Sequence, residues 1–245
     1  MVILLDTPGG LLASTKEIVK LILNSPVPVV IYVSPSGATA TSAGVFITLS
    51  AKIAAMAEGT SIGAAHPVMI SPGGGGQGDT DKEDSERKKF SEKVENFASS
   101  FIESIAQKRK RNAKWAIEAV RNSASITETE ALNKNVIDLI SPDLTDLINK
   151  INGRQVEILT GKKVLNTKGA LVERLDMNVK QKLIDTLSTP DIAFLLISLG
   201  SLGLLIEFYN PGLMFPGVAG AICLLLGLVS LQILPFNYAG LALLI

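Results

Sequence analysis

Two hydrophobic regimes follow each other along the chain. Up to about Ile151, short apolar runs bounded by glycine and proline alternate with longer stretches of helical period; from Ile192 onward almost every residue is apolar. Val2-Ile3-Leu4-Leu5 and Val27–Val33 are β-branched or leucine runs of the kind buried on both faces of a parallel sheet. A helix is predicted between them, from about Leu11 to Leu23, and a second over Ala43–Ala55, where small side chains surround the axis. Strand, glycine turn, helix, strand, small-residue turn, helix is a βαβ order. Its two turns leave the C-terminal ends of strands, where such sheets bind ligands.

Further along, Ala57–Val68 reads as a turn and a short strand ending at His66. Ser71–Lys89 is glycine-rich, then charge-rich, and almost without apolar residues, so a mobile loop with the character of an active-site lid is expected. Helices follow over Phe90–Arg111 and Ala113–Val120; Phe97, Phe101 and Ile105 share one apolar face of the first. Thr127 and Glu130 have capping-box spacing and open a short helix. A turn and strand over Asn135–Ile140 and a helix over Leu144–Ile151 close a first domain, 1–152. A linker domain, 153–190, should hold a hairpin over Arg154–Val164, a small β patch including Leu171–Leu175, and an amphipathic helix over Asn178–Leu187.

The last domain, 191–245, is a membrane unit. Ile192–Tyr209 and Leu213–Leu234 are long enough to span a bilayer, and Phe236–Ile245 begins a third span. Glycines 200, 203, 217, 220 and 227 permit close helix packing, and Glu207 is expected to snorkel to the interface. Composition adds exclusions. The formal net charge is zero, so no nucleic-acid surface is indicated. One cysteine, Cys223, excludes an intrachain disulfide, and one histidine excludes a multi-histidine metal centre; no cofactor is expected.

The chemistry concentrates in Ser34–Gly44. Ser42 stands where a strand region enters a helix, so free N–H groups and the helix dipole favour developing negative charge there. The plainer role is an N-cap serine. An oxyanion hole needs two N–H donors beside one nucleophile, and Gly10 and Ala43 are the candidate donors.

Asp6-Thr7-Pro8-Gly9-Gly10 followed by Thr41-Ser42-Ala43-Gly44 resembles the ClpP/crotonase class of serine proteases, which includes signal-peptide peptidase A. With the apolar tail, the chain more closely resembles the membrane-anchored branch called NfeD, or stomatin-operon partner protease. The resemblance implies a ββα spiral followed by transmembrane helices, and a Ser-Lys dyad of Ser42 with Lys93. It also implies cleavage of apolar segments in stomatin-like membrane proteins, and a catalytic domain outside the cytoplasm. A homo-oligomer embedded in a lipid bilayer is expected. His66 is the rival base, as in the soluble Clp proteases, but Asn122 and Ser123 occupy the stretch where their orienting aspartate stands. A catalytically impaired scaffold of the same fold and an acyl-CoA enzyme of the crotonase class are the alternatives. Family members carry a signal sequence, a strand and a helix ahead of the glycine turn. The chain, starting on a core strand and stopping within its third span, is therefore expected to be a fragment or to have a misplaced start codon.

Overall fold

The computed structural model describes residues 1–67, 81–158, 161–187, 189–210, 212 and 214–230, with the side chains of all but 81–87 and 190. It divides into two compact units, Met1–Leu171 and Val172–Ile245.

In the first unit the chain repeatedly climbs a strand of one sheet, crosses to a second layer, and turns into a helix. The first pass is β1 (Val2–Leu5), Thr7 bridged to Ala40, and α1 (Leu12–Leu23). The second is β2 (Val30–Val33), β3 (Thr39–Thr41) and α2 (Ala43–Ser50); the third is β4 (Ile53–Met56), β5 (Ser61–Gly63) and α3 (Asp81–Lys108). α4 (Ala113–Arg121), β6 (Ser125–Thr127), α5 (Glu128–Asn133), β7 (Leu139–Ile140) and α6 (Leu144–Ile151) follow. β1, β2, β4 and β7 form one parallel sheet in that order, and β3, β5 and β6 form the second layer. This is the expected ββα spiral.

Alternation within β2 shows why its strand is apolar throughout. Val30 and Tyr32 pack with Leu147, Ile151 and Val156 on one face, while Ile31 and Val33 join the clusters beneath α1 and α2. A parallel sheet buried on both faces needs that run. The hairpin β8 (Gln155–Ile158) and β9 (Gly161–Val164) belongs to the first unit, with Val156 and Leu165 in the same cluster as Val30. The capping box forms as expected: Glu130 N–H donates to Thr127 Oγ1 at 3.4 Å and Thr127 N–H to Glu130 Oε2 at 3.2 Å.

Three expectations are corrected. The helix expected over Ala43–Ala55 stops at Ser50, and Ile53–Met56 is the buried strand β4. Arg109 Nε donates to Ser50 O at 2.7 Å, and Arg111 Nη1 to Leu49 O and Ala51 O at 3.3 and 3.1 Å. Those donors satisfy the last carbonyls of α2, and Lys52 N–H then enters the sheet on Val29 O at 2.9 Å. The loop expected over Ser71–Lys89 is helical from Asp81 to Lys89, while 71–80 lie outside the described residues. Its acids stand four residues ahead of bases, Glu83 before Arg87 and Asp84 before Lys88, so a segment with nothing to bury still favours helix. Leu171–Leu175 form no strand: an isolated apolar run without a pairing edge stays irregular.

In the second unit α7 (Val179–Leu187) precedes α8 (Pro190–Tyr209) and α9 (Phe215–Ser230). Asp191–Tyr209, 19 residues with a mean hydropathy of 2.0 over its most apolar 18-residue stretch, is long and apolar enough to cross a bilayer. α9 is a shorter apolar helix, and the expected third span lies outside the described residues. α8 and α9 run antiparallel, touching through glycines. A Cβ on Gly203 would stand 2.6 Å from Pro216 O, and one on Gly227 2.6 Å from Ile197 Cγ1. Glu207 does not reach outward; its stem lies against Gly217 and its Oε1 accepts from Gly212 N–H at 3.4 Å.

Candidate active site

Three corners of the spiral, each where the second layer is left behind, come together. The first corner is held by its own motif. Asp6 Oδ1 accepts from Thr39 N–H at 3.0 Å, and Thr7 N–H donates to Thr39 O at 2.8 Å. Thr7 Oγ1 accepts from Gly9 N–H at 3.1 Å, tying the Pro8-Gly9 turn. Asp6 and Thr7 were not singled out from sequence; a carboxylate and a hydroxyl directly ahead of a Pro-Gly-Gly turn are the signal that marks them.

The second corner is Ser42. Its backbone has φ 53° and ψ −109°, and its hydroxyl makes no capping hydrogen bond to α2. The N-cap role fails on both counts, since a cap residue is extended and its oxygen accepts from the helix. Such a conformation costs about 1–3 kcal/mol for a residue with a Cβ and persists only where its surroundings impose it. Here Ser42 N–H donates to Gly63 O at 3.1 Å, and Ser42 O accepts from Val45 N–H at 3.1 Å. The strain turns the side chain out of the helix toward the glycine turn. A Cβ on Gly9 would stand 2.8 Å from Ser42 Cβ and 3.2 Å from Ser42 Oγ, and Gly9 itself has φ +137°. Only glycine fits there.

Gly10 lies next to Ala43: a Cβ on it would stand 3.9 Å from Ala43 Cβ. Among the described residues, neither the Gly10 N–H nor the Ala43 N–H has a hydrogen-bond acceptor. Two unsatisfied donors therefore flank a strained serine at the start of a fully buried helix. An arrangement of this kind favours negative charge developing beside the hydroxyl.

The third corner leads to His66, which is half-buried, with Nδ1 3.0 Å from Val120 O. A carbonyl can only accept, so this bond requires the proton on Nδ1 and leaves Nε2 as an acceptor in the neutral ring. A main-chain carbonyl, not a carboxylate, thus orients the ring. Lys93 is exposed on α3 and has no hydrogen bond or ion pair among the described residues. Its helix is joined to that of Ser42 by aromatic packing. Phe97, one turn beyond Lys93, stacks on Phe101 at 6.0 Å, and Phe101 stacks at 5.8 Å on Phe46, one turn beyond Ser42. Lys16 Nζ sits 5.8 Å from the Phe97 ring centroid, bringing α1 to the same aromatic group.

A ββα spiral that strains a serine against a glycine turn, in a chain that also holds an apolar helix long enough to cross a bilayer, defines a membrane protein of the ClpP/crotonase-like class. Comparison with known proteins narrows the class. Residues 1–148 match the model of the NfeD1b N-terminal domain and residues 191–245 that of the NfeD integral membrane domain. The chain belongs to the NfeD family.

It is 38% identical over 247 residues to the membrane-bound protease PH1510 of Pyrococcus horikoshii, covering 100% of this chain and 54% of that protein. It spans about half the length of the curated relatives it matches. Among solved structures it resembles the 1510-N membrane-bound stomatin-specific protease. A lysine-to-alanine mutant in complex with a substrate peptide matches with TM-score 0.64 and 36% identity, over 76% of this chain and 81% of that one. A serine-to-alanine mutant of the same protease matches with TM-score 0.62 and 36% identity, over 72% and 82%.

Proposed function

We propose that the chain is the catalytic and anchoring part of a membrane serine endopeptidase that cuts apolar segments of stomatin-like proteins. The observation that carries this reading is Ser42, held at φ 53° with its hydroxyl uncommitted beside Gly9. Ser42 Oγ attacks the scissile carbonyl, and the Gly10 and Ala43 N–H groups receive the oxyanion. Lys93 takes the hydroxyl proton and delivers it to the leaving amine; water then hydrolyses the acyl-enzyme with Lys93 again as base. Only the neutral amine of a lysine can take a proton, and burial is what disfavours the charged form. The role therefore requires a cover, and an apolar substrate segment lying over Lys93 and the half-exposed Phe97 provides one. Cleavage of apolar rather than charged segments follows from that need.

His66 is the second reading, favoured by its oriented Nδ1 and free Nε2. The apolar tail crosses the bilayer more than once, the α/β unit faces out of the cytoplasm, and the working form is a homo-oligomer. A synthetic peptide spanning the apolar segment of a stomatin-like protein, incubated with the detergent-solubilised chain, tests the activity. Discrete cleavage by the wild type and none by Ser42→Ala is the expected result; equal cleavage by both would remove Ser42 from the mechanism.

A further inference from the structure

Ahead of the membrane helices, α7 exposes an apolar stripe that the described residues leave uncovered. Val179, Leu183 and Leu187 recur every four residues and Ile184 widens their arc, while Gln181, Lys182 and Asp185 fall on the opposite side. No residue of α7 is buried: Val179 is 85% exposed and Leu183 and Ile184 60% each. The segment leading into it adds Leu175 at 83% and Met177 at 52%. A contiguous apolar surface of this kind marks an interaction site.

Position within the second unit says what covers it. α7 ends at Leu187, and α8 begins at Pro190. The Leu187 carbonyl accepts from the hydroxyl of Ser230, the last residue of α9. α8 and α9 are antiparallel, so the start of α8, the end of α9 and the end of α7 share one level. The first turn of α8 carries Asp191, a charge that belongs at the boundary of the hydrocarbon rather than within it. The open stripe of α7 thus lies at the level where α8 begins, and the spanning window of α8 is only 11% buried by protein.

We propose that α7 lies in the plane of the bilayer interface. Val179, Leu183 and Ile184 enter about 5–10 Å into the boundary of headgroups and acyl chains, as amphipathic surface helices do. Lys182, Gln181 and Asp185 face water, and Lys180, which falls within the apolar arc between Leu187 and Ile184, lays its stem along that side and lifts its ammonium to the headgroups. The helix then fixes the depth and azimuth at which the chain leaves the membrane. The occupant is lipid rather than a second copy, because the stripe lies at the level where α8, a helix whose solvent is lipid, enters the bilayer. The inference rests on α8 crossing the bilayer, and its test carries a control for that.

Full-length chain with Cys223→Ser supplies the background for single cysteines labelled with an environment-sensitive fluorophore in phosphatidylcholine vesicles. Leu183→Cys should give blue-shifted emission, quenched by a lipid carrying its quencher near the glycerol and protected from aqueous iodide. Lys182→Cys, one residue away, should be quenched by iodide. Leu199→Cys in mid-α8 should respond to a quencher deep in the acyl chains; iodide reaching it would overturn the spanning helix and this proposal together. With α8 deep, equal iodide quenching at 182 and 183 would put α7 in water. Protection of Leu183→Cys from both quenchers would mean that protein covers the stripe. Either result overturns the proposal.

Discussion

Lys93→Ala is expected to reduce peptide cleavage by about 10⁴-fold or more, as severely as Ser42→Ala, because groups acting as one unit do not contribute additively. The double variant should be no worse than either single one. Lys93→Arg should not restore cleavage, since a guanidinium stays protonated and cannot take a proton from Ser42. His66→Ala should retain most activity, its ring being anchored to Val120 O in the free chain. Among the described residues Lys93 has no hydrogen bond or ion pair whose loss would mimic these effects, and so the variant should keep its melting temperature. Steady-state cleavage of the same apolar peptide by all five proteins decides the matter. Survival of cleavage in Lys93→Ala with loss in His66→Ala would transfer the base to His66.

The second large effect concerns stability. Arg111 is 7% exposed, and its Nη2 donates to Asp138 Oδ2 at 2.5 Å. The same carboxylate oxygen accepts from Ala54 N–H at 2.6 Å, joining the end of α2 and the start of β4 to β7. Burial holds the Arg111 guanidinium below its usual range, against the opposing pull of Asp138. Asp138→Ala leaves that charge buried and unpaired, which costs about 3–5 kcal/mol and lowers the melting temperature by roughly 6–20 °C in a unit of this size. Replacing both partners by apolar residues should recover part of the loss, though Leu49 O and Ala51 O then lack their donor. Breaking the exposed Lys20–Glu17 pair, 3.8 Å apart, should change stability by less than about 1 kcal/mol. Calorimetric melts of the detergent-solubilised variants supply the comparison. A melting temperature unchanged in Asp138→Ala would show that the pair does not hold α2 in place.

β1 and β2 of the main sheet were legible because a parallel strand buried on both faces leaves an uninterrupted apolar run, as Val30–Val33 does. β3 was not, since Thr39-Ala40-Thr41 within a run of serine, glycine and threonine looks like part of a turn; its partner is distant in sequence. α2 and β4 merged into one helix because both are apolar all round, and the arginines that separate them come from the far end of α3. The charged start of α3 read as loop because a lack of apolar residues excludes burial but not helix. At the site, sequence placed Ser42 at the head of a helix beside a glycine turn. What it withheld was the backbone: a φ of 53° follows from Ser42 N–H on Gly63 O, a tertiary contact. Exposure of Lys93 was equally beyond a one-dimensional pattern.

Everything proposed about the reaction turns on the hydroxyl of Ser42 being a nucleophile and not an idle helix-end group. A fluorophosphonate, which phosphonylates activated serines, measures that property without requiring the natural substrate. Treatment of the full chain in detergent, followed by proteolytic digestion and mass analysis, should find the adduct on the peptide containing Ser42, and no adduct in Ser42→Ala. An adduct confined to another serine, or a wild-type chain that binds an apolar peptide yet takes up no label, would contradict the account.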